Sequence, residues 1–239
     1  MTRQVRIVGA GRAGGSFAAA LTSAGWEVDG PIGRDRSAIT GAARKVDLVL
    51  VCVNDASVSE VAASIEPGDA CVAHCAGSLG LDVLRTHVRR ASIHPLVSLP
   101  NAEVGAARLR GAWFAVAGDP IATEAVGALA GTSFEIDDAH RAAYHAAACI
   151  AANHLVALLG QVERIGSGAG APFEAYLDLV RGAVDNVAAL GPAAALTGPA
   201  ARGDETTIAG HLAAIDPSEH DAYRTMADQA RRLAGRRKD

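Results

Sequence analysis

The stretch Val5-Arg6-Ile7-Val8-Gly9-Ala10-Gly11-Arg12-Ala13-Gly14-Gly15-Ser16-Phe17 decides how the rest of this chain is read. Residues 5–8 form a short apolar run that reads as a buried strand. Gly9, Gly11 and Gly14 then spell G-x-G-x-x-G. An alanine-rich helical stretch follows, with Phe17 and Leu21 four apart and Gly25 where a helix C-cap falls. Gly9 permits the tight strand-to-helix turn, Gly11 lets the backbone approach a pyrophosphate, and Gly14 lets helix and strand pack closely. The helix N-terminus supplies unpaired N–H groups and partial positive charge. The glycine pattern alone is weak, but a strand before it and a helix after it are the context that gives it meaning. Gly9, Ala10, Gly11, Arg12, Ala13 and Gly14 are therefore the expected dinucleotide-binding turn.

At 239 residues, half of them hydrophobic, the chain suffices for one large domain or two modest ones. A net charge of −4 gives no electrostatic case for nucleic acid or an anionic membrane. No apolar run approaches the length of a membrane span, and the N-terminus enters a strand at once, so neither a span nor a signal peptide is expected. The expected compartment is the cytoplasm. Cys52, Cys71, Cys75 and Cys149 form no C-x-x-C and are expected to be reduced. Cys71, His74, Cys75 and His94 invite a zinc reading, but strand alternation sends His74 and Cys75 to opposite faces, and no metal is expected.

Outward from the glycine turn, residues 26–32 read as a second strand, made irregular by Gly30-Pro31. Its end sets the cofactor. An acidic residue there holds the ribose of NAD, whereas an arginine or another donor suits the 2′-phosphate of NADP. The chain reads Gly33-Arg34-Asp35-Arg36-Ser37: Arg34 favours NADP, and Asp35 keeps NAD open. Residues 46–53 are a near-continuous apolar run, as in a parallel strand buried on both faces. Val53 and Asn54 end it at the carboxyl edge of the sheet, where a cofactor lies. Asp55 or Ser57 is expected to cap the next helix. Residues 70–74 give a fourth strand, and the small-residue loop 75–80 follows, with Ser78 and His74 as polar contacts to the cofactor. Residues 91–96 end in His94-Pro95. A residue before proline is held extended, so His94 projects from the strand end. Residues 113–118 and 133–136 are two more strands, with a helix between them, and close the sheet.

From Asp137-Asp138 onward no strand-like run occurs. Asp138 is the expected cap of a long helix over 139–165, on which His145, Cys149 and Asn153 occupy one ridge at i, i+4 and i+8. Residues 166–172 read as a flexible loop and 172–190 as a helix. Gly191-Pro192 breaks the chain ahead of Thr197-Gly198-Pro199-Ala200-Ala201-Arg202-Gly203-Asp204, where Asp204 caps the next helix. Helices over 205–214 and 217–234 precede a basic tail, 231–238. The expected fold is an N-terminal Rossmann domain, residues 1–137, with a doubly wound and mainly parallel sheet. A smaller all-helical domain, residues 138–239, follows it.

The glycine fingerprint, the 75–80 loop, His94-Pro95-Leu96, Tyr144-His145-Ala146-Ala147-Ala148, Asn153 and the 196–204 motif occur in this order. Together they resemble a bacterial family of Rossmann-like proteins with a C-terminal helical domain of unknown function, over nearly the whole chain. That family is similar in plan to ketopantoate reductases, pyrroline-5-carboxylate reductases and 6-phosphogluconate dehydrogenases. The resemblance implies an NADP-dependent reductase of a small 2-keto acid, ketopantoate-like, or of a cyclic imino acid. A non-catalytic NADP(H)-binding sensor or partner subunit is the alternative. One departure matters. Ketopantoate reductases and 6-phosphogluconate dehydrogenases carry a catalytic lysine on a C-terminal helix, and here the lysines are Lys45, ahead of a Rossmann strand, and Lys238, in the tail. Histidine is the natural substitute acid, since its pKa lies near neutrality. The expected roles follow: His145 donates the proton, Asn153 bonds the oxygen where charge grows, and Arg202 grips a carboxylate of a substrate held between the domains. Tyr144, His94 and Thr197 are second choices. A homodimer through the alanine- and leucine-rich C-terminal helices is expected, since a helical bundle of this size buries little surface alone.

Overall fold

The computed structural model describes residues 2–235, so part of the basic run 231–238 lies outside the described residues. Its strands are β1 (Gln4–Val8), β2 (Glu27–Ile32), β3 (Leu48–Val51), β4 (Cys71–His74), β5 (Arg90–Pro95), β6 (Trp113–Gly118) and β7 (Thr132–Glu135). Between them run α1 (Arg12–Ser23), α2 (Arg36–Thr40), α3 (Asp55–Ser64), α4 (Ala102–Leu109) and α5 (Ile121–Ala128), with a 3-10 turn over Leu81–Leu84. The strands form one sheet in the order β2-β1-β3-β4-β5-β6-β7. It is parallel throughout except where β6 runs antiparallel to β5. This is the doubly wound, mainly parallel sheet that the sequence predicts.

The apolar run over 46–53 forms a strand only over Leu48–Val51, all four of them buried. Alternation divides it between two cores: Leu48 and Leu50 join Phe17, Leu21 and Phe114 on one face, while Val49 and Val51 join Val58, Ala62 and Leu84 on the other. Burying side chains such as Phe17 and Leu21 contributes about 1.5–3 kcal/mol each. The sheet is thus fixed by apolar burial on both faces, which leaves its carboxyl edge free for polar groups.

After β7 the chain is helical: α6 (Arg141–Cys149), a π turn over Ile150–His154, α7 (Leu155–Gly168), α8 (Phe173–Leu190), α9 (Pro192–Ala195), α10 (Pro199–Arg202), α11 (Glu205–Ala214), a 3-10 turn over Pro217–Glu219, and α12 (His220–Gly235). By internal contacts the chain falls into two units, one reaching Ala152 and the other starting at Asn153.

Several local expectations are corrected. Asp138 does not cap the long helix: the N-cap is His140, and the Asp138 carboxylate is taken by the Leu81 N–H and the Arg141 Nε–H. The neighbouring Asp137 accepts the His140 N–H instead, at 3.1 Å. Neither Asp55 nor Ser57 caps α3: Asn54 holds the N-cap position, its carbonyl accepts the Ser57 N–H, and Asp55 binds Ser78. The π turn interrupts the ridge of His145, Cys149 and Asn153, because its wider winding shifts the register after Cys149. Helix α7 continues through Gly168, so the expected loop shrinks to residues 169–172. Asp204 does cap α11, accepting the Thr207 N–H at 3.0 Å and its hydroxyl at 2.7 Å.

The membrane expectation also needs correction. The continuous helical run Arg141–Gly168 has an 18-residue window of mean hydropathy 1.4, long and apolar enough by length and composition to cross a membrane. Alanines raise its hydropathy without forming a block of large apolar residues. None of that window is buried within the chain.

Candidate active site

The glycine turn is built from sterics. Gly9 has φ +117°, and a Cβ there would collide with the Cys52 carbonyl. A Cβ on Gly14 would collide with the Gly9 carbonyl. Gly11 differs: it is the N-cap of α1, with no side-chain cap bond and open space around its Cβ position. No acidic residue occupies the first turn of α1, and Ala10, Gly11 and Arg12 are exposed while Ala13 is half-buried. Free N–H groups at a helix start beside open space fit a pyrophosphate. The residues present therefore fit a dinucleotide.

At the end of β2 the Ile32 carbonyl accepts the Gly9 N–H at 2.8 Å, which holds the following loop beside the turn. Asp35 is spent locally: its carboxylate accepts the N–H groups of Ser37 and Ala38 and caps α2. Arg34, Arg36 and Ser37 are exposed. The acid that kept an NAD ribose contact open is thus a helix cap, and the exposed arginine remains.

At the carboxyl edge, Val53 and Asn54 follow β3, half-buried and exposed respectively. The Ser78 hydroxyl donates to Asp55 at 2.8 Å, tying the loop after β4 to the start of α3. His74 is not a cofactor contact: it is fully buried, with Nε2 3.3 Å from the Gly80 carbonyl. Burial lowers its pKa to about 4, against the smaller upward pull of that carbonyl bond.

The structure brings His94, Tyr144 and His145 together. His94 Nδ1 lies 2.6 Å from the Tyr144 hydroxyl, with the rings edge-to-face at 5.5 Å. His94 and His145 are 5.8 Å apart by ring centroid. Phe134 of β7 packs edge-to-face on Tyr144 at 5.9 Å. Gly77 sits beneath both histidines: a Cβ there would lie 2.5 Å from His145 Nδ1 and 2.7 Å from His94 Nε2. Two ring nitrogens therefore converge over one residue of the carboxyl-edge loop. Burial, then the charge of His145 and of Arg141, lowers the His94 pKa to about 4. Burial pushes the Tyr144 hydroxyl up to about 12, partly opposed by Arg141. At neutral pH the tyrosine is protonated and His94 is neutral. The phenol is the better donor and the imidazole nitrogen the better acceptor, so Tyr144 donates to Nδ1 and His94 Nε2 carries the hydrogen. His145 Nε2 lies 3.6 Å from Cys149 Sγ, and its buried Nδ1 has no partner.

Two residues of this site were missed in the sequence. Asp138 binds the Leu81 N–H at 3.0 Å and the Arg141 Nε–H at 3.0 Å, and a Cβ on Gly80 would collide with its carboxylate. It clips the loop after β4 to the start of α6. Arg141 is 1% exposed, and both its terminal nitrogens lack partners. The spacing was available: Arg141 lies three residues before Tyr144 and four before His145, on one face of α6.

The remaining candidates belong to the second unit. Asn153 is exposed in the π turn. Arg202 is exposed at the end of α10 and makes no ion pair among the described residues. Thr197 lines an apolar cavity of about 420 Å³ with Leu158, Val162, Ile165, Tyr176 and Met226.

Residues 114–230 match the family model DUF2520, a domain of unknown function. This agrees with the resemblance read from the sequence. No curated protein matches the chain. Among solved structures, protein TM1727 from Thermotoga maritima is 24% identical, with a TM-score of 0.74 over 98% of this chain and 100% of its own. A reductive aminase from Aspergillus terreus, in complex with NADPH and ethyl levulinate, is 16% identical, with a TM-score of 0.69 over 98% of each chain. Plasmodium falciparum pyrroline carboxylate reductase with NADP bound is 13% identical, with a TM-score of 0.62 over 97% of this chain and 98% of its own. The fold is that of Rossmann-like proteins with a helical C-terminal region.

Proposed function

We propose that this protein is an NADP-dependent reductase that delivers hydride to a small C=O or C=N carbon, a ketopantoate-like 2-keto acid or a cyclic imino acid. The observation that carries the reading is the convergence of His94 Nε2 and His145 Nδ1 over Gly77, in the loop after β4, with Tyr144 bonded behind His94 at 2.6 Å. Simple nucleotide binding needs no such set of proton-bearing groups. The neighbours bound to NADP and NADPH support the cofactor, as does the exposed Arg34 with Asp35 spent as a cap.

When bound, NADPH supplies the hydride. The rest falls to the chain. The Gly9–Gly14 turn holds a pyrophosphate on the α1 N-terminus, and Arg34 meets the 2′-phosphate. Val53, Asn54 and Ser78 border the carboxyl edge. His94 donates its Nε2 hydrogen to the atom that gains charge, and Tyr144 fixes the tautomer and stands as proton source behind it. His145 is the second donor at the same point.

The deciding experiment follows NADPH oxidation by purified protein with ketopantoate and with a cyclic imino acid, beside the same assays with NADH. Turnover with NADPH and one of these substrates is expected. NADPH binding without turnover on either would replace the enzyme with a nucleotide-reading partner protein.

The second unit supports a homodimer through its helices. No residue of α8 is buried, and Leu179, Val184, Val187 and Leu190 lie exposed along it, as Val156 does on α7. Apolar faces of this kind are covered in soluble assemblies. Light scattering after gel filtration is expected to give twice the chain mass, and a monomer would refute the dimer.

A further inference from the structure

Cys52 and Cys75 stand together at the carboxyl edge. Residues Val51 and His74 are register partners on the parallel strands β3 and β4. One residue further, Cys52 and Cys75 fall opposite each other. Adjacent strands lie about 4.8 Å apart, inside the Cα spacing of roughly 4.4–6.8 Å that a disulfide spans. Both point to the same face, since both belong to the core that holds Leu48, Leu50, Cys71 and Ala73. The Cys75 side chain is near enough to shift the Cys52 thiol. The Cys75 thiol in turn donates to the Val51 carbonyl at 3.8 Å. Both cysteines are free. Cys75 is half-buried and Cys52 only 6% exposed. The neighbouring Cys75, followed by burial, raises the Cys52 thiol well above its usual range. The outer sulfur therefore meets an oxidant first, and the inner one waits in contact with it.

Cys52 also abuts the glycine turn. Its N–H donates to the Val8 carbonyl at 2.7 Å, and its carbonyl fills the place where a Cβ on Gly9 would stand. Movement of Cys52 thus reaches the pyrophosphate turn directly.

We propose that Cys52 and Cys75 are an oxidisable dithiol, closed to an intramolecular disulfide by hydroperoxides, and that closure weakens dinucleotide binding at the Gly9–Gly14 turn. In the first step the Cys75 sulfur attacks the peroxide, the O–O bond breaks, and Cys75 becomes a sulfenic acid as water or an alcohol leaves. The Cys52 sulfur then attacks Cys75 Sγ, an S–S bond forms, the S–O bond breaks, and the Cys52 proton leaves with the hydroxyl as water. The two thiols lose two electrons, and the hydroperoxide gains them. An S–S bond of about 2.05 Å is shorter than any thiol–thiol contact. It draws the ends of β3 and β4 together and, because β3 lies between β1 and β4, pulls Cys52 away from Val8 and Gly9.

The test treats the full chain with hydrogen peroxide and maps unreduced peptides by mass spectrometry, with NADPH affinity read by fluorescence before and after. A peptide linking Cys52 to Cys75 is expected, with a roughly tenfold loss of NADPH affinity that dithiothreitol restores. In Cys75→Ser, and separately in Cys52→Ser, peroxide should form no link and cause no affinity change. Oxidation confined to Cys71 or Cys149, or Cys75 driven to higher oxides without a link, overturns the dithiol. A link that leaves NADPH affinity unchanged overturns its coupling to the glycine turn. The linked peptide is read without turnover, so it stands or falls apart from the reductase reading.

Discussion

The Tyr144 hydroxyl lies 2.6 Å from His94 Nδ1, joining a residue of α6 to the end of β5 across fifty positions of sequence. The bond fixes which nitrogen of His94 faces outward. Tyr144→Phe removes the donor and frees the tautomer. With a keto or imino substrate, turnover should fall at least tenfold, and in His94→Gln about a hundredfold, the scale of general acid catalysis. NADPH affinity should hold in both, because neither touches the glycine turn. Stopped-flow measurement of hydride transfer decides it, and unchanged rates in His94→Gln would remove His94 from proton delivery.

His145 is tested through its neighbour as well as directly. His145→Ala should lower turnover by about a hundredfold without weakening NADPH binding. Gly77→Ala places a methyl group 2.5 Å from His145 Nδ1 and 2.7 Å from His94 Nε2, so both rings must shift. A misplacement near 1 Å costs on the order of a hundredfold in rate. If Gly77→Ala keeps full turnover, the two nitrogens do not act over that point.

Much of this was legible in the sequence. Gly9 and Gly14 announce the turn because sterics dictate them, and the near-continuous apolar run over residues 46–53 announces β3 because both its faces are buried. His94 and Tyr144 were each visible as polar residues near strand and helix ends. Their partnership was not, because it depends on how β7 and Phe134 seat α6, which no local spacing encodes. Asp138 was misassigned for a related reason. It has the composition of a helix cap, but the Leu81 N–H, distant in sequence, competes for the same carboxylate and wins.

Asp138 therefore predicts a stability effect. In Asp138→Ala, Arg141 loses its Nε partner while remaining 1% exposed, and the Leu81 N–H loses its acceptor. An uncompensated charge in the interior is expensive, and the loss is expected at roughly 2–3 kcal/mol. Urea denaturation measures it. A midpoint unchanged from the parent protein would show that Asp138 does not hold this corner.

Cofactor choice separates Arg34 from Asp35. Replacing Arg34 by Gln should raise the KM for NADPH about 10–100-fold, the worth of one hydrogen bond to a charged group, and leave the weaker NADH reaction unchanged. Asp35→Ala removes the cap of α2, so it should cost about 1 kcal/mol of stability with no gain for either cofactor. Equal losses for NADPH and NADH in Arg34→Gln would take Arg34 away from the 2′-phosphate.

Stability should also fall on the acid side because of His74. Burial lowers its pKa from 6.5 to about 4, so the unfolded chain binds the proton more readily than the folded one between those values. Unfolding free energy then rises with pH across that window and is lost as pH falls from about 6.5 toward 4. The full difference is on the order of 3 kcal/mol. His94 titrates over the same range and adds to the slope. In His74→Gln, whose amide can still reach the Gly80 carbonyl, part of that slope should disappear while stability at pH 7 changes little. Thermal melts from pH 4 to pH 8 read the difference. Parallel curves for parent and variant would mean that His74 takes up its proton equally in both states.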